Sequence, residues 1–478
     1  MFLVDTYKKR REELMTKLRG GVAIIPANLH APNSYPNNPY YFRQDSTFRY
    51  FFGINSPALV GVMDIDSGET TLYGDDPTLD DLIWTGALPT TAEQAAECGV
   101  ERGASLSSLN EFVARAQQSG REIHILPPYR GESKLQLAEL LGCSPFEFKK
   151  YISADLIFGV AELREVKSPE EIAQMEEAYL IGYEMHTAAM SLTREGITER
   201  EVSGVLDGVA RRRGGGVSFP TIYTQHGEIL HNISQEGVLK NGRLVLCDAG
   251  AETLSGYCSD HTRTYPVSGR FSDVQRDIYN IVLEAHNHVA QTAKANMLYQ
   301  DLHRAAQRKL AEGLKDFGLL RGSIEEIEES EAVRLFMPHG TGHGLGMDVH
   351  DCEAFGERSF DFGEYKSRAQ KSGTCIFRDG WILREGAVIT NEPGIYFIEA
   401  LIRKSQSEGL YSQTVNYPLA LSMCDFGGVR IEDDLIITSS GARQIGGHCP
   451  IPKSVEEIEK FMEETKKYDF NFPNTTRG

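Results

Sequence analysis

Several features are scarce in this sequence, and each scarcity removes a class of protein. No apolar run approaches the ~20 residues that a membrane-spanning helix requires, which argues against a chain that crosses a bilayer. The opening MFLVDTYKKRREELMTKLRGGVAIIPAN alternates charged and apolar residues at helical spacing and contains no signal-peptide core. Positive charge is short as well: 49 Lys and Arg face 68 Asp and Glu, a formal net charge of -19. Such a field repels nucleic acid and anionic lipid, so neither is an expected partner. The eight cysteines, at 98, 143, 247, 258, 352, 375, 424 and 449, are scattered and form no C-x-x-C pair. That pattern fits buried thiols in a reducing compartment, and we read the protein as cytoplasmic. Low-complexity tracts are missing too, and 41% hydrophobic with 24% charged residues is an ordinary composition for a folded chain.

What is present divides in two. Between about 20 and 160, short apolar runs such as Val22-Ala-Ile-Ile-Pro26, Ala58-Leu-Val-Gly-Val-Met63 and Ile123-His-Ile-Leu126 alternate with helical stretches at 91–99 and 133–142. This is the pattern of a small α/β domain. A new helix is signalled at Ser168-Pro-Glu-Glu171, where Ser168 can cap, Pro169 suits the first turn and Glu171 completes a capping box; Ile172, Met175, Tyr179 and Tyr183 then mark its apolar face. A second box, Thr198 to Glu201, opens the next helix. Strands follow at 244–247, 387–390 and 435–438, with helices near 273–297, 300–315 and 454–466. We expect a domain at 1–163 and a larger one at 164–478, in which helices cover a sheet. No internal repeat is readable.

Acidic residues punctuate the strands of the second half. Asp248 follows Leu-Val-Leu-Cys, Asp260 lies in Cys258-Ser-Asp-His-Thr-Arg-Thr264, Glu392 precedes a Pro-Gly turn, and Glu432 lies in Val429-Arg-Ile-Glu432. Taken singly, Asp248 can be an Asx-turn residue and Asp260 a partner of Arg263. Arg430 and Glu432 share one face if their segment is extended, and burying such charges requires counter-charges. The run Pro338-His-Gly-Thr-Gly-His-Gly-Leu-Gly-Met-Asp-Val-His350 adds three imidazoles in a glycine-rich stretch that suits a loop or irregular strand better than a helix. Four carboxylates and one imidazole form an oxygen-rich donor set able to neutralise two divalent cations, suited to Mn²⁺ more than to a structural zinc. Carboxylates can also bridge two such ions.

Together the motifs resemble the pita-bread metallopeptidases, in particular the Xaa-Pro group that contains aminopeptidase P and prolidase. Asp248-Ala-Gly-Ala-Glu252, Ser259-Asp-His-Thr-Arg-Thr-Tyr-Pro266, the His339–His343 block, Asp348-Val-His-Asp351, Glu392-Pro-Gly-Ile-Tyr396 and Arg430-Ile-Glu-Asp433 occur in that family's order. Tyr41-Phe-Arg-Gln-Asp-Ser46 and Tyr50-Phe-Phe-Gly53 are similar to its amino-terminal domain, so the likeness spans nearly the whole chain. It implies a C-terminal pita-bread domain with a curved sheet covered by helices, behind a smaller α/β domain. It makes Asp248 a ligand to one metal, Asp260 and Glu432 bridges, and His343 and Glu392 ligands to the other. His231 and His350 would line the substrate site and stabilise the reacting carbonyl, with His339 and Arg430 supporting. Arg378 falls where prolidases hold a dipeptide's terminal carboxylate. Two departures stand out: the Asp248–Asp260 interval is one residue longer than the family pattern, with a bulge expected at Thr253-Leu-Ser255, and His261 replaces a more usual aliphatic residue.

The implied activity is hydrolysis of the bond before proline in Xaa-Pro dipeptides or short peptides, using two divalent ions, Mn²⁺ foremost with Zn²⁺ or Co²⁺ as alternatives. The resemblance also implies a homodimer or higher homo-oligomer. Phe426-Gly-Gly-Val-Arg430 and the long segment after Glu399 lean toward the dipeptidase. The competing readings are a non-catalytic pita-bread binding module, a creatinase-type hydrolase without metals, and a methionine-aminopeptidase-like exopeptidase. The first two go with loss of the ligands, and the third usually lacks such an amino-terminal domain.

Overall fold

Short apolar runs in the first third of the chain form β1 (Val22–Pro26) and β2 (Val60–Asp64), each buried on both faces, followed by β3 (Glu69–Tyr73), β4 (Arg102–Ala104) and β5 (Ile123–His124). The computed structural model describes residues 2–355 and 381–465. These strands form one sheet in the order β4-β3-β2-β1-β5, with β1 antiparallel to β2 and parallel to β5. Val22 and Ile24 share a face and meet Leu109 and Val113 of helix Leu106–Gln118 and Leu137 of helix Gly131–Leu141. Burying each such side chain contributes roughly 1.5–3 kcal/mol. The first helix, Val4–Thr16, also buries two arginines. Arg11 donates to the carbonyls of Phe51 and Cys98, and Arg10 to that of Tyr50, at the carbonyl-rich end of helix Ser46–Phe52.

The chain separates into two compact units at Arg164 and Glu165, inside the last turn of helix Ala154–Glu165. The described residues 352–355 group with the first unit, so the division is not a single cut. In the second unit, Ser168 and Glu171 form the full capping box with Pro169 in the first turn of helix Pro169–Leu192, and Thr198 with Glu201 caps helix Glu199–Arg213. The buried face of the longer helix differs from the sequence pattern: Ile172 and Tyr183 are only half-buried. Met175 and Tyr179 are buried as expected, and Ala178, Ile181, Met185 and His186 join them on the buried face. A polar His186 on that face hid it from a purely apolar count.

The strands of this unit are β6 (Gly216–Val217), β7 (Ile222–Thr224), β8 (Leu244–Ala249), β9 (Ala251–Glu252), β10 (His261–Pro266), β11 (Val388–Asn391), β12 (Gly394–Tyr396), β13 (Gly428–Arg430), β14 (Asp433–Ile437) and β15 (Ala442–Gln444). They pair as β10-β8-β7, β11-β14-β15, β12-β13 and β6-β9. A bridge between Thr262 and Glu432 ties the first set to the segment joining β13 and β14. Helices Asp273–Thr292 and Tyr299–Asp316 supply Val289, Tyr299, Leu302 and Ala306 to a core with Ile389, Leu435 and Ile437. At 253–257 the chain makes a turn in which Gly256 donates to the Thr253 carbonyl and Thr253 to that of Tyr257. Among the described residues, no helix is long and apolar enough to cross a membrane.

Candidate metal centre

Strand register decides which side chains meet. In the all-buried β8, Asp248 lies opposite Thr262 of β10 and Ile222 of β7. Alternation along β10 sends Thr262 and Thr264 to the side of Asp248 and puts His261 and Arg263 on the other. There the His261 ring lies 5.0 Å from that of Tyr179, and Arg263 pairs with Asp433 at 2.7 Å. Asp260 and Glu432 therefore approach across the Thr262 bridge, where the Glu432 N–H donates to the Thr262 carbonyl at 3.0 Å.

The histidine-rich segment forms no helix and is pinned along β11. Thr390 donates its N–H to the His343 carbonyl at 2.9 Å, His343 donates its own to the Thr390 hydroxyl at 3.0 Å, and the Glu392 N–H reaches the Thr341 carbonyl at 2.7 Å. Gly342 passes so close that an added Cβ would stand 2.0 Å from the Thr390 carbonyl oxygen. Only glycine permits this approach, which delivers His343 and Glu392 to the same place.

Asp260, His343 and Glu432 each offer a ligand atom, and these atoms all lie within 4.8 Å of one another, in buried positions. The His343 Nε2 is 3.4 Å from Asp260 and 3.7 Å from Glu392. Asp248 joins through Arg430, whose guanidinium holds its Oδ2 at 2.6 Å. Arg430 also donates to the Thr262 hydroxyl at 3.1 Å and to the Tyr396 hydroxyl at 2.9 Å; Thr262 in turn donates to Glu432 at 2.6 Å. His339 meets the same Tyr396 hydroxyl at 2.8 Å and lies 3.7 Å from Glu392. Arg430 and Glu432 thus share one face, both touching Thr262.

The electrostatics are those of a site short of positive charge. Burial, and then the charges of Glu432, Asp248, Asp434 and Glu392, push Asp260 well above the usual carboxylate range. Burial, Glu392 and Asp248 do the same to Glu432, although Arg430 and the Thr262 hydrogen bond oppose it. The Asp248 Oδ1 is buried with no hydrogen-bond partner. Carboxylates this close are stable as anions only with added cations, so the donor set fits divalent metal ions. Burial, opposed only in part by Arg430, pushes the Tyr396 phenol up to about 12, so it keeps its proton at neutral pH.

The remaining expected residues divide. His350 is an exposed residue whose ring stacks on that of His343 with centroids 3.8 Å apart. His231 is an exposed turn residue; its neighbour Leu230 packs against Ile222, Leu246 and Tyr396. Arg378 lies outside the described residues, as does the loop 356–380. Inspection of the sequence missed Thr262, Thr390 and Asp434, whose Oδ2 accepts the Asp260 N–H at 3.2 Å. Two-residue spacing from Asp260 and from Glu392 marks the threonines. Asp434 carried no such signal, since it follows two other acids.

Comparison with known proteins agrees in extent and kind. The model of metallopeptidase family M24 matches residues 173–439, and that of the aminopeptidase P N-terminal domain matches 7–125. A probable Xaa-Pro aminopeptidase of Verticillium alfalfae is 30% identical over 96% of this chain and 96% of its own. The human Xaa-Pro dipeptidase is 28% identical over 95% of this chain and 92% of its own. The structure of Escherichia coli aminopeptidase P with the inhibitor Pro-Leu superposes with a TM-score of 0.79 at 29% identity, covering 98% of this chain and 100% of that one.

Proposed function

The chain belongs to metallopeptidase family M24 and is a metal-dependent peptidase, and from that premise we propose that it hydrolyses the Xaa-Pro bond of dipeptides and short peptides with two divalent ions, Mn²⁺ foremost. The observation that carries this reading is the buried meeting of Asp260, His343 and Glu432 within 4.8 Å, beside Asp248 and Glu392. In it, Asp248, Asp260, His343, Glu392 and Glu432 would hold the ions: Asp248 one, His343 and Glu392 the other, with Asp260 and Glu432 shared between them. Bound there, the ions supply Lewis-acid charge for the scissile carbonyl and lower the pKa of the attacking water.

The chain's own groups do the rest. Arg430 fixes the free rotation of Asp248 by a 2.6 Å ion pair, and Thr262 fixes Glu432 at 2.6 Å, so the donors are set before substrate arrives. Glu392, between His339 and His343, is placed to take and return a proton. His350 and His231 present imidazole N–H groups to the carbonyl oxygen as charge develops on it. The proline nitrogen of the substrate has no N–H to donate, so recognition before proline falls on shape and apolar contact and not on a hydrogen bond to that atom.

A cytoplasmic, homo-oligomeric enzyme completes the reading, and the buried free thiols Cys98 and Cys247 favour a reducing compartment. The deciding assay compares Ala-Pro with Ala-Pro-Ala, each with and without added Mn²⁺. Mn²⁺-dependent release of alanine from both or either supports Xaa-Pro hydrolysis, and faster turnover of the dipeptide supports the lean to small substrates. Release from neither peptide, in protein shown to hold Mn²⁺, would sink it.

A further inference from the structure

Glu199 is a carboxylate with an unusual job. It is only 2% exposed, yet its hydrogen-bond partners are backbone amides: Oε1 accepts the N–H of Gln225 at 2.8 Å and Oε2 that of Gly237 at 3.0 Å. These are the two ends of loop 225–237. The helix that Glu199 begins does not need it as a cap, because Thr198 and Glu201 already form the reciprocal box. Gln225 reinforces the same closure, donating to the Val238 carbonyl at 2.9 Å and accepting the Lys240 N–H at 2.7 Å. Gly237 comes so near that a Cβ there would lie 2.8 Å from the Glu199 carboxyl carbon.

The loop so closed carries His231; within it Asn232 donates to the Thr224 hydroxyl at 2.9 Å and Gln235 to the Thr221 carbonyl at 2.6 Å, while Ile229 and Ile233 are 50% and 58% exposed. Leu230 of this loop packs against the buried cluster of Ile222, Leu246 and Tyr396, and the Tyr396 hydroxyl meets Arg430 and His339. A buried acid that spans both ends of a loop fixes the loop's span as a two-point clamp, and charge-assisted bonds are the stronger kind. We propose that Glu199 is the positioning residue for loop 225–237 and through it sets where His231 meets substrate; this rests on the reading of His231 above.

The test uses full-length, Mn²⁺-loaded protein and the variants Glu199→Gln, His231→Ala and the pair together. Glutamine keeps the shape but turns an NH₂ toward one of the two amides. Hydrogen exchange at Gln225 and Gly237 is expected to quicken in Glu199→Gln while helix Glu199–Arg213 and bound Mn²⁺ stay as in the unsubstituted protein. On whichever Xaa-Pro peptide is turned over, kcat/KM is expected to fall about ten-fold, largely through KM, since a hydrogen bond to a charged group and its geometry are lost. In the His231→Ala background the same change is expected to cost less than about two-fold, because coupled residues are not additive. Equal losses in both backgrounds, or unchanged exchange at Gln225 and Gly237, overturn the proposal. If Glu199→Gln does not fold, Gly237→Ala, which crowds the carboxylate without removing it, gives the same readouts. Should no Xaa-Pro peptide be cleaved, the function above fails, while exchange still decides the clamp.

Discussion

Glu432 and Asp433 are neighbours in the chain, both buried, and their surroundings are opposite. Glu432 faces Asp248, Asp260 and Glu392, and burial among them drives it well above the usual carboxylate range. Asp433 points the other way. Burial would raise it too, but Arg263 at 2.7 Å, Lys453 at 2.7 Å and His286 at 3.3 Å overcome that and hold it well below. One region has its counter-charges built in and the other leaves them to be supplied. The first is what a structural ion cluster looks like and the second what a cation-binding site looks like, even though the residue types are the same.

Substitution at the supplied-cation side is expected to have the largest effect. Glu432→Gln should lower kcat/KM by roughly two to three orders of magnitude, the scale of losing one preorganised electrostatic group, and should reduce Mn²⁺ retained after gel filtration. Unchanged turnover and metal content would break the contrast. Asp433→Asn should instead act on stability: it strands Arg263, which is fully buried, and breaking a buried pair typically costs about 3–5 kcal/mol. Urea unfolding measures this, and an unmoved midpoint would mean that the cluster is not structural.

The two regions should also respond to pH with opposite sign. Asp260 and Glu432 have folded values above their unfolded ones, so in metal-free protein their contribution is most favourable below the ordinary carboxylate range and is lost as pH rises through the raised values. Asp433 has a lowered value, so its contribution is present above the ordinary carboxylate range and is lost as pH falls below that range through the lowered value. Cations offset only the first effect, so the gain in Tm on adding Mn²⁺ should widen from about pH 5 to about pH 8. A gain that is flat or shrinks over that interval contradicts the assignment of raised values.

The smallest effect is expected at His261. Its ring is fully buried with Nδ1 3.5 Å from the Asp434 carboxylate, neither nitrogen makes an ordinary hydrogen bond, and burial pushes it down to about 3, so it is neutral at physiological pH. An apolar group of similar size loses nothing comparable, and His261→Ile should shift stability by no more than about 1 kcal/mol in either direction. Loss of bound Mn²⁺ in that variant would show that the imidazole reaches the ligands after all.

Much of this is legible in the sequence alone. Capping boxes at Ser168 and Thr198 placed two helices because their chemistry is local, with donor and acceptor three residues apart. The candidate donors were legible for a related reason: an acid at the end of an apolar strand, or a histidine between glycines, is conspicuous against its neighbours. Thr262 and Thr390 were not, since a threonine in a strand has an ordinary explanation, and only the approach of Glu432 and His343 gives their hydroxyls a task. Likewise His186 broke the apolar stripe of its helix, and its place in the interior rests on the Ala249 carbonyl 3.0 Å from its Nε2.

The run Glu432-Asp433-Asp434 marks the boundary between what sequence and tertiary structure each decide. By itself the sequence determined that three acids follow an apolar strand residue and that an arginine shares the first one's face. Which acid would be neutralised by the protein and which left for added cations was decided only on folding, because Arg263 and Lys453 are brought from distant segments to Asp433, whereas Asp248, Asp260 and Glu392 converge on Glu432. Charge compensation depends on distance in space, and alternation along a strand specifies only the side on which a charge emerges.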